Sequence, residues 1–243
     1  MQKLTLFLVI LVVLLAITAA VFVILFVLWK HGWRDRRFVD EHGRHIPYHL
    51  EDEEREDAVY IPRDSTVLEI GARYGTVSFV INERLNDRTK HVVIEPDARV
   101  WDALQTNKKK LESEYTIVHK VLASRPMFFY PKPEKNGYGS STCYTARHAE
   151  DIQVDNITYA ELKEQTGLTF DTVVIDCEGC IQQLFTDFPD LLEDVNLVLY
   201  EQDKEEFCNY SVVEHTLRDS GFRCVKKGYH SVWAKEESAS QQA

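Results

Sequence analysis

The chain has 243 residues, 44% of them hydrophobic and 28% charged, enough for one membrane segment and one domain with a full core. Its formal net charge is -11, and the first 38 residues are basic (Lys3, Lys30, Arg34, Arg36 and Arg37 against Asp35), so the remainder is more acidic than the whole. Such a domain repels phosphate backbones, which argues against nucleic acid as a partner.

Leu4 to Trp29 is an uncharged run of 26 residues dominated by Leu, Val, Ile and Phe. As a helix it spans about 39 Å, more than a hydrocarbon core of about 30 Å. A secretory signal has a shorter apolar region, followed by small residues at its cleavage site. Here Ala16, Ala19 and Ala20 lie inside the run, so residues 4–29 read as a retained single-pass anchor in a membrane. Lys30, Arg34, Arg36, Arg37 and Arg44 follow it, and only Lys3 and the α-amino group precede it; the positive-inside rule then puts the C-terminal part in the cytosol. The five cysteines, 143, 177, 180, 208 and 224, are an odd number in a domain that needs no staples, and they read as reduced thiols on that same side. Asn156-Ile157-Thr158 and Asn209-Tyr210-Ser211 would argue for the other side if glycosylated. Such tripeptides also arise by chance, and they are discounted here.

His31 to Asp57 is charge-rich and ends in Glu51-Asp52-Glu53-Glu54-Arg55-Glu56-Asp57, the composition of a solvated spacer. Residues 30–57 are expected as a juxtamembrane linker, 58–236 as the folded domain and 237–243 as a polar tail.

The domain is organised around Val67-Leu68-Glu69-Ile70-Gly71-Ala72-Arg73-Tyr74-Gly75. Val67, Leu68 and Ile70 suit a buried parallel strand, and Thr76 to Leu85 keeps an apolar face at helical spacing. Gly71 and Gly75 bracket a turn in which a ligand can approach the backbone, and Glu69 at the strand end can accept hydrogen bonds from it. A second strand, His91 to Ile94, ends in Glu95-Pro96, 24 residues after Gly71. An acid there can take both hydroxyls of a ribose. Pro96 stops the strand, and Asp97 can cap the helix through Val100, Leu104 and Asn107.

Tyr115 to Leu122 reads as a third strand, with His119 a packed or surface residue, and Met127 to Tyr130 as another short one. Pro131 to Ser141 is a loop long enough to reach over a site. Val154 to Leu162 leads into a helix. Thr172 to Asp176 is a fourth strand, continuing Cys177-Glu178-Gly179-Cys180 into a helix through Ile181, Leu184 and Phe185. Two carboxylates and a glycine at that strand end lie where such folds bind substrates, the place for a general base or polar anchor. Asn196 to Tyr200 is a fifth strand closed by Glu201; Val212 to Leu217 is a helix; Phe222 to Val225 and Tyr229 to Ala234 form a hairpin about Lys227-Gly228.

Four stretches together resemble the FkbM-type family of S-adenosylmethionine-dependent methyltransferases: Leu68 to Gly75, Glu95-Pro96-Asp97 through Asn107, Val174-Ile175-Asp176-Cys177-Glu178-Gly179, and Leu197 to Glu201. The resemblance covers about Thr66 to Lys235. It implies an α/β fold of the Rossmann-like class I methyltransferase type, a mostly parallel seven-stranded sheet with an antiparallel last strand. It also implies S-adenosyl-L-methionine as cofactor and methyl transfer to a hydroxyl of a small molecule, glycan or lipid. By position Glu69, Gly71, Ala72 and Gly75 would surround the methionine part, Glu95 the ribose, and Asp176 and Glu178 would face the substrate side, Asp176 touching the cofactor too. Arg73 within the turn and Cys180 in place of an acid depart from the family pattern, and no acid follows the third strand at Ala123-Ser124.

Rival readings are a nicotinamide-dependent oxidoreductase, a redox protein using Cys177 and Cys180, a zinc protein, and a tethered binding module without catalysis. The first lacks the middle glycine of G-x-G-x-x-G. In the second, Asp176 and Glu178 oppose thiolate formation. A zinc site lacks a second ligand pair of matching spacing, so no metal is expected. The last is opposed by the joint presence of Glu69, Gly71, Glu95, Asp176 and Glu178. The anchor has a direct test: the full chain is expected to stay in the membrane pellet after a carbonate wash, and a soluble product lacking the first 20 or so residues would mark a cleaved signal instead.

Overall fold

The computed structural model describes residues 2–28, 38–47, 51–130 and 140–235. Most of the expected linker between 30 and 50, nearly all of the expected 131–141 loop and the polar tail lie outside them. Helix α1 (Gln2–Leu28) contains Ile10–Val27 at mean hydropathy 3.3, with every side chain of that stretch exposed. It is long and apolar enough to cross a membrane, by a test a signal sequence also passes.

Buried β-branched runs give the central strands. β1 (Val67–Ile70) pairs in parallel with β2 (His91–Ile94) on one side and β9 (Thr172–Ile175) on the other. Outward from β2 lies β3 (Thr116–Val118); outward from β9 lie β10 (Leu197–Glu201), β12 (His230–Lys235) and β11 (Phe222–Lys226). β12 runs antiparallel to both its neighbours and every other pairing is parallel, which is the expected Rossmann-like α/β sheet. Successive residues of one strand feed opposite layers. Leu68 and Ile70 pack with α5 (Tyr159–Thr166), α6 (Ile181–Asp187), α7 (Leu191–Asp194) and α8 (Tyr210–Asp219) through Tyr159, Leu162, Leu184, Leu191 and Leu217, whereas Val67 packs with Val77, Ile81 and Leu85 from α3 (Thr76–Arg84) and the turn after it. Thr158 and Glu161 form a capping box that starts α5, and Gly167 in left-handed conformation ends it.

Two expectations change. The third strand breaks after Val118: β4 (Val121–Leu122) leaves the main sheet and pairs with β8 (Asn156–Ile157). β5 (Met127–Tyr130) lies between β6 (Ser141–Cys143) and β7 (Ile152–Val154) in a small antiparallel sheet. Between β3 and β4, His119 stacks on Trp101 of α4 (Trp101–Lys110), ring centroids 4.1 Å apart.

The domain also begins before Ala58. Phe38 and Ile46 are buried against Tyr74, Val100 and Ala103. Helix α2 (Asp52–Asp57) packs on α3 and β12, and Asp57 pairs with Lys226 at 2.7 Å. Hydropathy hides this attachment because it is polar: Asn107, fully buried, accepts from Val39 N and donates to the carbonyls of Val39 and Tyr74, each at 2.9 Å. Asn107→Ala leaves those three backbone groups without their partner, and a loss of about 2–3 kcal/mol is expected in denaturant titration of the solubilised chain. A change within about 0.5 kcal/mol, the scale of a neutral surface substitution, would mean residues 38–47 do not dock in solution.

Candidate active site

The strand order reverses between β1 and β9, and a cleft of about 1030 Å³, part of it open to solvent, lies beyond their carboxyl ends, where open α/β sheets bind ligands. Ile70, Gly71 and Ala72 line it from β1, Ile94 and Glu95 from β2, Val121 to Ala123 from β4, and Asp176 to Glu178 with Cys180 from the turn after β9. Glu51 and Glu54 close it from the α2 side, and Ser141, Tyr144 and Asp187 border it opposite. The walls from Ile70, Ile94, Val121, Leu122 and Met127 are apolar; among the described residues six carboxyls and a single cationic side chain, Arg73, carry the charge of the lining.

Glu95 is 5% exposed, and its oxygens are already engaged. Oε2 accepts from Ala72 N (3.1 Å) and Arg73 N (2.6 Å), and Oε1 from Asp97 N (2.7 Å). Burial pushes its pKa up and these three N–H groups pull it back, the net shift being upward. Glu95 thus shapes the turn, and only the lone pairs left over face the cavity. The turn needs that support because Arg73 sits at φ 45°, a left-handed conformation costing roughly 1–2 kcal/mol.

Gly71 (φ +87°) is required for a reason other than the expected one. A Cβ there would lie 1.7 Å from the carbonyl oxygen of Asp176, so the glycine lets the end of β1 touch the end of β9. Gly75 (φ +80°) starts α3, where a Cβ would meet Leu104 and the Tyr115 hydroxyl at 2.8 Å. Glu69 is not at the cavity. It is 1% exposed, accepting from Ser78 Oγ at 2.7 Å and facing His91 Nε2 at 2.8 Å. Strand alternation turns it away from the face that Leu68 and Ile70 share, so the expected contact with a ligand gives way to a buried polar pair.

Asp176 and Glu178 do come together at the cavity, in different settings. Burial first, then the charges of Glu54 and Glu201 and a hydrogen bond with Glu201, hold Asp176 well above the ordinary carboxyl range. Burial would raise Glu201 as well, but hydrogen bonds with His230, Asp176 and Tyr229 lower it to about 2. The two carboxyls are therefore driven apart, Asp176 upward and Glu201 downward, and titrate as a pair. Glu178, at φ 56°, forms an ion pair with Lys204 at 2.8 Å, and Lys204 also meets Asp203. Glu54 makes no hydrogen bond with a described residue, and burial with the charges of Glu51, Glu69, Glu201 and Asp57 raises it strongly.

Cys177 and Cys180 are joined by a disulfide, which corrects the expectation of reduced thiols for these two; Cys143, Cys208 and Cys224 are free. No cluster of His, Cys, Asp or Glu suited to a metal ion occurs among the described residues. Sequence reasoning missed Glu51 and Glu54, whose signal was two acids three apart on one helical turn, and gave Glu201 no role beyond ending its strand.

No protein-family model and no curated protein sequence matches the chain. Solved structures are similar to it: a protein of the NADB-Rossmann superfamily from Streptococcus agalactiae (12% identity, 77% of this chain and 69% of that one covered, TM-score 0.50), a precorrin-6y C5,15-methyltransferase from Geobacter metallireducens (15%, 75% and 89%, 0.45) and a ribosomal protein L11 methylase from Lactobacillus delbrueckii subsp. bulgaricus (11%, 77% and 80%, 0.46). The first of these likenesses shows the fold, a Rossmann-like α/β domain.

The Asp176–Glu201 pair has a pH signature. A carboxyl whose native pKa lies above its unfolded value binds protons better in the native state, so the parent loses stability as pH rises from about 4 through the native value. Glu201 works oppositely, but its contribution changes only below about pH 5. Asp176→Asn keeps a donor toward Glu201 and removes the slope. Its melting temperature relative to the parent is expected to rise from pH 5 to pH 8; a constant difference would show Asp176 ionised in the native protein.

Proposed function

We propose that the chain is an S-adenosyl-L-methionine-dependent methyltransferase of the FkbM type that methylates a hydroxyl of a sugar, lipid or small molecule at a membrane surface. The observation that carries this reading is the charge of the cavity: Glu51, Glu54, Glu95, Asp176, Glu178 and Asp187 line it against Arg73. Burying uncompensated carboxyls is costly, and a cationic ligand relieves that cost. A sulfonium carrying an α-ammonium group fits; a pyrophosphate does not. The turn donors that would cradle a phosphate, Ala72 N and Arg73 N, are bound to Glu95, which removes the basis of the nicotinamide reading.

The residues present fit such a cofactor. The remaining lone pairs of Glu95 can accept from ribose hydroxyls, the apolar strip from Ile94 to Met127 suits a flat base, and Glu54 and Asp176 stand where positive charge is needed. When bound, the cofactor supplies an activated methyl group. The protein's own task is to hold the acceptor in line and to take its proton. Asp176, its pKa held up by burial and by the neighbouring Glu54 and Glu201, serves as a polar anchor. Glu178, fixed by Lys204, is the base nearer the acceptor, beside the polar rim of Ser141, Tyr144 and Asp187.

Two measurements test this. Calorimetric titration is expected to show binding of S-adenosyl-L-methionine and none of a nicotinamide dinucleotide; the reverse order ends the reading. Glu178→Gln is expected to keep cofactor affinity and to slow methyl transfer at least about tenfold, since a positioned base contributes about 10²–10⁴-fold. Unchanged turnover on a verified acceptor would remove Glu178 as base and leave positioning alone.

A further inference from the structure

We propose that Asn209 is a site of N-linked glycosylation, and that the catalytic domain therefore lies in an oxidising compartment rather than the cytosol. The sequence offers two acceptor tripeptides, and the structure separates them. Asn156 sits in β8, partly buried, and its Nδ2 donates to the carbonyl of Ala123 at 2.9 Å. The hydroxyl of the third residue, Thr158, is also committed: it accepts from Glu161 N at 3.2 Å and donates to the Glu161 carboxylate at 2.8 Å, forming the cap of α5. A sugar on Asn156 would displace its hydrogen bond to the Ala123 carbonyl.

Asn209 is the opposite case. It is exposed, lies just before α8, and caps that helix through Oδ1, which accepts from Ser211 N at 3.1 Å. Its Nδ2 donates to no described residue, and the exposed Ser211 hydroxyl makes no hydrogen bond with one. A sugar on Nδ2 enters solvent without displacing a protein contact, and the cap survives because it uses the other amide atom.

The Cys177–Cys180 disulfide points to the same compartment independently. Disulfides persist in secretory and extracellular spaces and are rare in the cytosol, where thiols are kept reduced. The apolar helix α1 gives the chain a route there, acting as a signal that stays in the membrane. The basic residues directly after α1 favour the other orientation; the acceptor geometry and the disulfide stand against that cue. The donor is an oligosaccharide linked to a lipid pyrophosphate. Nδ2 of Asn209 attacks the anomeric carbon, the carbon–oxygen bond to the pyrophosphate breaks as the carbon–nitrogen bond forms, the lipid pyrophosphate leaves with the electron pair, and one amide proton passes to the transferase's base. Nothing is oxidised or reduced.

The test expresses the full chain in a eukaryotic secretory host and reads the mobility shift on treatment with a peptide N-glycosidase. One discrete shift is expected, lost in Ser211→Ala and kept in Asn156→Gln. Ser211→Ala is the clean variant because the cap uses the Ser211 backbone N–H; Ser211→Thr, which keeps the tripeptide, is expected to keep the shift. On sealed microsomes the domain is expected to resist added protease until detergent is present. Absence of any shift, a shift that persists in Ser211→Ala, or digestion without detergent would each overturn the proposal. None of these outcomes bears on the methyltransferase reading, which rests on the cavity.

Discussion

The Glu95 carboxylate holds the site together. It gathers the N–H groups of Ala72, Arg73 and Asp97, drawing the turn after β1 toward the end of β2. Hydrogen bonds to a charged group contribute about 1.5–3 kcal/mol each, enough for three of them to offset the several kcal/mol that burying a carboxylate costs. That balance also permits Arg73 its left-handed backbone. The turn, once fixed, sets Gly71 against the Asp176 carbonyl, so the ends of β1 and β9 register with each other. Cavity floor, candidate base and anchor are therefore positioned through one buried acid.

The same bonds decide the electrostatic character of the cavity. A glycine turn at a helix start is ordinarily an anion site, because its N–H groups point outward. Here those groups are spent inward on the Glu95 carboxyl, while Glu51 and Glu54 add acid from the start of α2 and Asp176 adds a carboxyl whose pKa is held up by burial and by Glu54 and Glu201. Acid outweighs base around the site, in a domain whose overall charge is negative as well.

Those features were unequally legible in the chain. The parallel strands read directly, since β-branched runs buried on both faces look alike wherever they occur, and the acids at the ends of the second and fourth strands followed from where such sheets bind ligands. Glu69 misled because its place in the strand was clear but the face it took was not; with Ser78 and His91 both on its side, its carboxylate had partners within the fold. Gly71 was right as a glycine and wrong as to cause, because the close approach is between strands nearly 105 residues apart. Residues 38–47 and 51–57 were not legible as part of the domain, since two isolated apolar side chains, Phe38 and Ile46, and polar links through Asn107 and the Asp57–Lys226 pair leave no hydrophobic periodicity. Glu201 lacked any sequence cue for its coupling to Asp176, which depends on two strand ends meeting in space.

The turn from Asp176 to Cys180 shows how a site can be made rigid where secondary structure runs out. Glu178 and Gly179 both adopt positive φ, a conformation that left-handed sterics disfavour for the glutamate. Three constraints hold it: the disulfide between Cys177 and Cys180, the Lys204 ion pair, and the packing of Gly179 against Lys204 and Phe207, where a Cβ would lie at 3.0 and 3.2 Å. A displacement in line tolerates little misalignment, and an effective molarity gained by orientation is lost if the orienting loop is loose. Cross-linking the loop at its two ends restricts it while leaving the carboxyls of Asp176 and Glu178 at the cavity. It also ties the shape of the turn to the redox state of its surroundings.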